Sequence, residues 1–471
     1  MNKKFFVTTP IYYVNDIPHI GHTCTNVAAD IVARYHKLLG EEVFFLTGTD
    51  EHGAKVAEAA EEAGLSPKEF CDKVSKTFSD IWPKLNIKYN YFIRTTNSQH
   101  EKIVQEVLTR IYQKGDIYKA KYTGLYCVGC EKFVTESDLV GGHCPLHPNR
   151  EVVKQAEENY FFKLDKYSRI LIEAIENENH PYHYQISPES KKNEVLAKLK
   201  AGVNDLSISR QEVSWGIPIP WDNSQTIYVW IEALFNYYTA TIITNKESFW
   251  PANLHLLGKE ILWFHAAIWE ALLIAAELPL PKEVYAHSFY TVDGQKMSKS
   301  LGNVISPQEL IDKFGVDGAR YLVASSFPAI EDSDVGWEKF TKKYNADLAN
   351  GLGNLVQRVT KLAETSNFSF TPKERSNFKK DVSQKIEDCR LSEALSLIWN
   401  DVNESNKNIN EQELWKKSGE ELKEGLQAAI LTLQNIAYNL QPFLPETAEK
   451  ILKQFSRPKI KSGEPLFPRL K

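Results

Sequence analysis

The chain opens with an apolar run, Phe5-Phe6-Val7, a polar stretch, and then Val27, Ile31, Tyr35 and Leu38 on one face of a 3.6-residue period. This order predicts a strand, a loop and a helix. Gly40 ends the helix as a C′ residue would, and Val43-Phe44-Phe45-Leu46 reads as the next strand, completing a βαβ opening. Strand–helix alternation fills residues 1 to about 114 and resumes near 225, which predicts a parallel sheet with helices on both faces. Between these limits, short strands, glycine turns and clustered cysteines suggest an inserted module. In the second half Asn253 to Leu257 reads as a strand, Lys259 to Ala276 as a helix and Val284 to Thr291 as a strand. Ser306-Pro307-Gln308-Glu309 supplies an N-cap Ser, an N1 Pro and an N3 Glu, the capping box of a further helix. From about Tyr344 the stripe Leu348, Leu352, Leu355, Val356, Val359 and Leu362 predicts a separate helical bundle, interrupted by a polar loop at Thr365 to Phe378 and continuing to about Gln454.

Length and composition narrow the classes. A chain of 471 residues suggests about three domains, and 42% hydrophobic with 11% aromatic residues fills ordinary cores. The net charge of −5 argues against a polybasic binder but leaves room for an RNA partner engaged by a local basic face. From Ile451 onward, Lys453, Arg457, Lys459, Lys461, Arg469 and Lys471 face Glu464 alone, the pattern of a solvated, slightly frayed tail or of an RNA contact. No signal-peptide core precedes Thr8, and the most apolar helix, Ile261 to Ala276, is too short and too polar to span a bilayer. A cytoplasmic protein is expected. Six cysteines, three of them grouped with a His, fit a reducing compartment and a metal site better than a disulfide framework.

The candidate chemistry centres on two stretches. His19-Ile20-Gly21-His22 falls at the first strand-to-helix turn, where free backbone N–H groups and the helix dipole favour anions. Its imidazoles can donate hydrogen bonds to phosphate oxygens, while Gly21 leaves room for a flat base. Lys296-Met297-Ser298-Lys299-Ser300 follows a strand and precedes the capped helix, so it reads as a mobile cation pair pinned at both ends. Asp50, after the second strand, faces the same crevice and can hold an ammonium group. Cys127, Cys130, Cys144 and His147 have the spacing C-x2-C-x13-C-x2-H, which fits a closed tetrahedral zinc knuckle, with His143 as an alternative ligand. Such a site is structural: removing the metal should unfold the insertion without abolishing phosphate chemistry. Tyr13, Trp230, Ala233, Tyr237, Ile261 and His265 are either core or an apolar, polarizable pocket suited to a thioether.

His19 to His22 and Lys296 to Ser300 resemble, without substitution, the two nucleotide-binding motifs of the class I aminoacyl-tRNA synthetases. Val7-Thr8-Thr9-Pro10-Ile11-Tyr12-Tyr13-Val14-Asn15, Tyr228-Val229-Trp230, Gly258-Lys259-Glu260-Ile261 and the knuckle are similar to the methionyl-tRNA synthetase family in particular. The resemblance covers essentially the whole chain. It implies a Rossmann-like catalytic domain in two halves (1–114 and 226–320), a zinc-bearing connective insertion (115–225), a stem-contact linker (321–345) and an all-α anticodon-binding domain (346–471). It further implies that Ile11, Tyr13, Trp230, Ala233, Tyr237, Ile261 and His265 line a methionine pocket and that Asp50 receives the amino group. His19, Gly21, His22 and the residues Lys296, Met297, Ser298, Lys299 and Ser300 would bind ATP with Mg2+, and Arg210 would join them in activation. Leu234 departs from members that carry Pro there and is left out. Asn354, Arg358 and Trp415, by themselves a cap, a solvated Arg and a core Trp, become readers of the CAU anticodon of tRNA(Met), with Trp415 stacking on a splayed base. Some larger members carry a C-terminal OB-type domain used for dimerisation; with no such segment after Lys471, a monomer is expected.

Two other readings stand beside this one. A synthetase for valine, isoleucine or leucine usually carries a large editing insertion, for which about 110 residues between Gly115 and Gln225 are too few. A cysteine enzyme would use its zinc on substrate. A non-catalytic RNA-binding or zinc-scaffold relative would be favoured by loss of a catalytic His or Lys, and both motifs are intact.

Overall fold

Six parallel strands form the central sheet, in the order Tyr91–Arg94, Glu42–Asp50, Lys4–Tyr13, Leu254–Gly258, Glu283–His287 and Gln185–Ser187. The computed structural model describes the chain apart from residues 1, 2, 16, 130, 131, 135, 146, 147, 212, 298–300 and 372–376. Val7, Phe45 and Leu256 pack into one apolar core while Phe6, Leu46 and Leu257 pack into another, so neighbouring strand residues feed opposite faces of the sheet. Burial on both faces is why these strands read as unbroken apolar runs. Strand order reverses between Lys4–Tyr13 and Leu254–Gly258, and a crevice at the carboxyl ends of the strands on either side of such a switch is where open α/β sheets bind ligands.

The expected insertion contains an antiparallel sheet in which Ile117–Cys127 pairs along its whole length with Val152–Phe162. Lys132–Val134 and Leu206–Ser207 flank that pair. Within the same segment, however, Gln185–Ser187 returns to the central sheet beside Glu283–His287.

Two expected elements take a different form. Lys259 to Ala276 is a composite, with a 3-10 turn at Lys259–Ile261, a π-helical stretch at Phe264–Trp269 and an α-helix at Glu270–Ala275. Such widened turns frequently accompany functional sites. Val284 to Thr291 is two strands: Glu283–His287 belongs to the central sheet, whereas Tyr290–Val292 joins a small sheet with Gln295–Lys296 and Ser333–Val335. The Asp293-Gly294 turn, with φ of 50° and 78°, reverses the chain there, so Lys296 leaves from a hairpin. The following helix, Pro307–Ser325, begins with the expected capping box: Glu309 N donates to Ser306 Oγ at 3.1 Å and Ser306 N to Glu309 Oε2 at 3.0 Å.

The C-terminal part is helical, with Asn354–Ser366, Lys380–Glu387, Leu391–Glu411, Gly419–Leu440 and Pro445–Phe455 as its main helices. Its apolar core is continuous with that of the central sheet through Leu310, Phe314 and Leu322. The final segment is not frayed. Ile460 and Phe467 are buried, and Asn345 makes two 2.9 Å hydrogen bonds to the Leu470 backbone. The basic side chains there remain exposed. Among the described residues no helix is long and apolar enough to cross a membrane.

Candidate active site

The first strand ends at Tyr13 and the helix Ile20–Leu38 begins with His19 as its N-cap. The two histidines form a capping box of their own. Gly21 N donates to His19 Nδ1 at 3.1 Å, and His19 N donates to His22 Nδ1 at 3.3 Å. With both Nδ1 atoms accepting, the neutral rings carry their protons on Nε2, and each offers one N–H. The rings stack, centroids 3.8 Å apart. Burial, and then the neighbouring His19, hold His22 well below the usual imidazole pKa, so it acts as a neutral donor. A Cβ on Gly21 would lie 2.9 Å from His19 Cε1, which explains glycine at that position.

These histidines open into a cavity of about 610 Å3 at the switch point of the sheet. Ile11, Tyr13, His19, Gly21, His22, Asp50, Trp230, Ala233, Tyr237, Ile261, His265, Lys296 and Met297 all line it. Leu234 lines it too, although its departure from the family pattern had excluded it. Ser298, Lys299 and Ser300 lie outside the described residues.

The apolar end of the cavity is held by specific contacts. Trp230 stacks on Phe264 at 4.6 Å. His265 Nδ1 lies 3.0 Å from the Ile261 carbonyl and must donate to it, so Nε2 accepts the Tyr237 hydroxyl at 2.7 Å. Burial brings the His265 pKa down to about 4, against a partial opposing effect of that carbonyl, and the ring is neutral. Asp50 ends the second strand and is buried; the next residue, Glu51, is clamped by Arg94 at 2.6 and 2.9 Å.

Several lining residues escaped the sequence reading. His287, at the carboxyl end of its strand, meets Thr25 Oγ1 at 2.8 Å, and burial brings its pKa down to about 4. Asn236 is buried with Oδ1 lacking a hydrogen-bond partner. Glu260 lies across Gly258, and burial raises its pKa above the ordinary carboxylic value. The signal was available for His287 and Glu260, which follow strands on the ligand side of the sheet. Asn236 carried no such signal.

Arg210 does not reach the cavity. It is buried in the connective region, where Nη1 donates to the Ser209 carbonyl at 2.7 Å and to Ser207 Oγ at 3.1 Å, and the guanidinium lies 4.0 Å from the Tyr228 ring. Tyr228 is the N-cap of the helix that carries Trp230.

Of the four cysteine and histidine positions of the knuckle, Cys127 and Cys144 are described; Cys130 and His147 lie outside the described residues. Cys127 and Cys144 are reduced, buried and packed into one small cluster with Val134. Among the described residues no group of three or more metal-ligating side chains assembles. His143, the alternative ligand, is exposed in the turn that pairs with Val140.

In the helical region Asn354 is exposed, and Arg358, one turn on, donates to Asn410 Oδ1 at 2.7 Å. Trp415 is not a core residue: its side chain is 48% exposed, with the Arg358 guanidinium 5.5 Å from the ring.

The family model described as "tRNA synthetases class I (M)" matches residues 5–153 and 146–360. The chain is 42% identical to the methionine–tRNA ligase of Caldanaerobacter subterraneus subsp. tengcongensis, over 100% of this chain and 79% of that protein. It is 43% identical to that of Clostridium acetobutylicum, over 99% and 78%. Among solved structures, Mycobacterium tuberculosis methionyl-tRNA synthetase in complex with methionyl-adenylate superposes with a TM-score of 0.89 at 33% identity, covering 99% of this chain and 100% of that one.

Proposed function

This chain belongs to the class I methionyl-tRNA synthetases and is a methionine–tRNA ligase, and from that premise we propose that the 610 Å3 cavity is where methionine and ATP react. The observation that carries the assignment is convergence: Asp50, Trp230, Tyr237, His265, Lys296 and the two histidines, drawn from distant segments, line one space.

Methionine enters with its thioether against Trp230, Tyr237, His265, Ile261, Ala233, Ile11 and Tyr13. Sulfur gains from aromatic contact, and a neutral His265 adds no charge that would need water. Asp50 receives the ammonium group, which leaves the carboxylate directed toward ATP. In the first step a carboxylate oxygen attacks the α-phosphorus, the bond to the bridging oxygen breaks, and pyrophosphate leaves. Positioning and charge stabilisation carry such a transfer, so no side-chain nucleophile is required. His19 and His22 donate hydrogen bonds from Nε2–H to phosphate oxygens, Gly21 lets the base lie close, and Lys296 and Lys299 close over the departing pyrophosphate. Met297, Ser298 and Ser300 join these lysines in binding ATP. Mg2+ accompanying ATP neutralises phosphate charge. In the second step the terminal ribose hydroxyl of tRNA(Met) attacks the adenylate carbonyl and AMP leaves. Arg210 supports the site through Tyr228 as a positioning residue.

The domains are a catalytic domain at 1–114 and 226–320, a connective insertion at 115–225 that lends Gln185–Ser187 to the catalytic sheet, a linker at 321–345 that meets the tRNA stem, and an anticodon-binding bundle at 346–471, in a monomer that works in the cytoplasm. Asn354, Arg358 and Trp415 read the anticodon. Cys127, Cys130, Cys144 and His147 would hold one structural zinc, which would supply a cross-link within the insertion; the shared burial of Cys127 and Cys144 supports this.

An amino-acid panel in ATP–pyrophosphate exchange tests the site. Methionine alone should support exchange, and Lys299→Ala should lower adenylate formation far more than methionine affinity. Equal activation by mutant and wild type would remove Lys299 from the mechanism.

A further inference from the structure

Behind the cavity wall, Glu232 is wholly buried between two imidazoles. Its Oε1 lies 2.9 Å from His52 Nδ1 and its Oε2 lies 3.0 Å from His100 Nε2. The line continues: His100 Nδ1 lies 2.8 Å from Thr239 Oγ1. All four side chains are buried.

What distinguishes this group is where each member sits in the chain. His52 is two residues beyond Asp50, Glu232 lies between Trp230 and Ala233, and Thr239 is two residues beyond Tyr237. His100, on the helix Ser98–Gln113, lines no part of the cavity and only joins the others. Three separate stretches that supply cavity walls are therefore tied together at the back through one carboxylate. We propose that His52, Glu232 and His100 form a positioning triad that sets the methionine pocket; the proposal rests on the reading of the cavity given above.

The chemistry of the carboxylate makes the tie directional. An ionised Glu accepts only, so both imidazoles must present N–H to it. His52 is thereby held with its proton on Nδ1 and His100 with its proton on Nε2. His100 Nδ1 is left to accept from the Thr239 hydroxyl, whose other contact, to the Asn236 carbonyl, is longer at 3.3 Å. A buried ion pair is a poor device for stability alone, since well-packed apolar residues usually serve as well. It does fix relative positions.

The groups around His52 decide its charge. Glu232 faces it from the Val229–Leu234 helix, Glu101 Oε1 lies 3.7 Å from Nε2, Glu51 is adjacent in the chain, and the Trp215 ring packs at 5.5 Å. Burial works against protonation, but Glu232, Glu101 and Glu51 together outweigh it and raise the His52 pKa. Burial likewise opposes ionisation of Glu232, and His52 and His100 overcome it, lowering that pKa. Below the raised His52 pKa an imidazolium faces the Glu232 carboxylate; as pH rises through it His52 becomes neutral, Glu232 stays ionised, and the charge-assisted hydrogen bond between them weakens to an ordinary one.

The test is Glu232→Gln, with Trp230→Ala as the reference for the pocket itself. An amide can accept from one imidazole but must donate to the other, so one ring has to change tautomer. ATP–pyrophosphate exchange from about pH 6 to about pH 9 should show a methionine KM raised about tenfold, a fraction of the ~100-fold that a 1 Å misplacement costs, with kcat and ATP KM within about twofold. In the wild type, methionine KM should climb as His52 deprotonates; in Glu232→Gln that climb should vanish. His52→Gln, which keeps an N–H toward Glu232, should raise the methionine KM less than Glu232→Gln does and remove its pH dependence, and it provides a second readout if Glu232→Gln folds poorly. If Trp230→Ala raises methionine KM while Glu232→Gln and His52→Gln leave it and its pH profile unchanged, the triad has no positioning role. A Glu232→Gln enzyme whose kcat and melting point fall while its ATP KM rises alongside the methionine KM would also overturn it. If Trp230→Ala itself has no effect on methionine KM, the pocket assignment is what fails.

Discussion

Arg320 and Asp30 form an ion pair at 2.7 Å with both side chains closed off from solvent. Asp30 belongs to the helix that starts at His19 and also accepts from Arg34 Nε at 2.7 Å and Lys88 N at 2.9 Å. Arg320 uses its remaining N–H groups on the carbonyls of Leu85, Pro442 and Phe443. One guanidinium thus joins the helix that His19 caps to the turn between the last two long helices of the bundle. Replacing it by Met leaves buried carbonyls without donors, and Arg320→Met should destabilise the chain by about 3–5 kcal/mol. Urea unfolding reads this directly; an unchanged midpoint contradicts it.

Gly21 makes a sharper demand on activity than on folding. A methyl group at that position would meet His19 Cε1 at 2.9 Å and Nδ1 at 3.1 Å, so the ring must turn and release the Gly21 N–H that it caps. Gly21→Ala should cut kcat/KM for ATP by roughly a hundredfold, the scale of a 1 Å displacement of a catalytic group, while helix propensity favours the Ala. Pyrophosphate exchange at varied ATP, compared with the melting point, separates the two effects.

Buried neutral histidines set the acid limit. His265 and His287 have folded pKa values of about 4, lowered from 6.5 by burial, so between these values the unfolded chain binds protons that the folded chain does not. Their stabilisation is complete above about pH 6.5 and declines as pH falls toward 4, on the order of 1 kcal/mol per pH unit for each group. His265→Gln should flatten the fall in melting temperature between pH 6.5 and 4 relative to the wild type. Parallel curves for the two proteins would exclude this residue as a source.

Trp415 presents a half-exposed ring beside Arg358, an open stacking surface. Base–aromatic stacking is worth about 1–3 kcal/mol by alanine substitution, so Trp415→Ala should lower kcat/KM for tRNA(Met) charging about 10- to 100-fold. Methionine-dependent pyrophosphate exchange, which needs no tRNA, should be unaffected. A matched loss in both assays would point to unfolding instead.

The sequence by itself determined what depends on near neighbours. His19 to His22 fall at the first strand-to-helix turn, the Ser306 capping box closes within four residues, and the apolar runs Phe5-Phe6-Val7 and Val43 to Leu46 declare buried strands. In each case the partners are fixed by local backbone geometry, so residue type and spacing suffice. Only the tertiary structure decided which distant groups meet. It turned Arg210 toward Tyr228, launched Lys296 from a hairpin, folded the basic tail back through Phe467, and set His52 and His100 on either side of Glu232. Those outcomes depend on burial and charge pairing between segments as much as 180 residues apart, as for His52 and Glu232. Whether a buried polar group finds its partner is settled only when the whole core has closed around it.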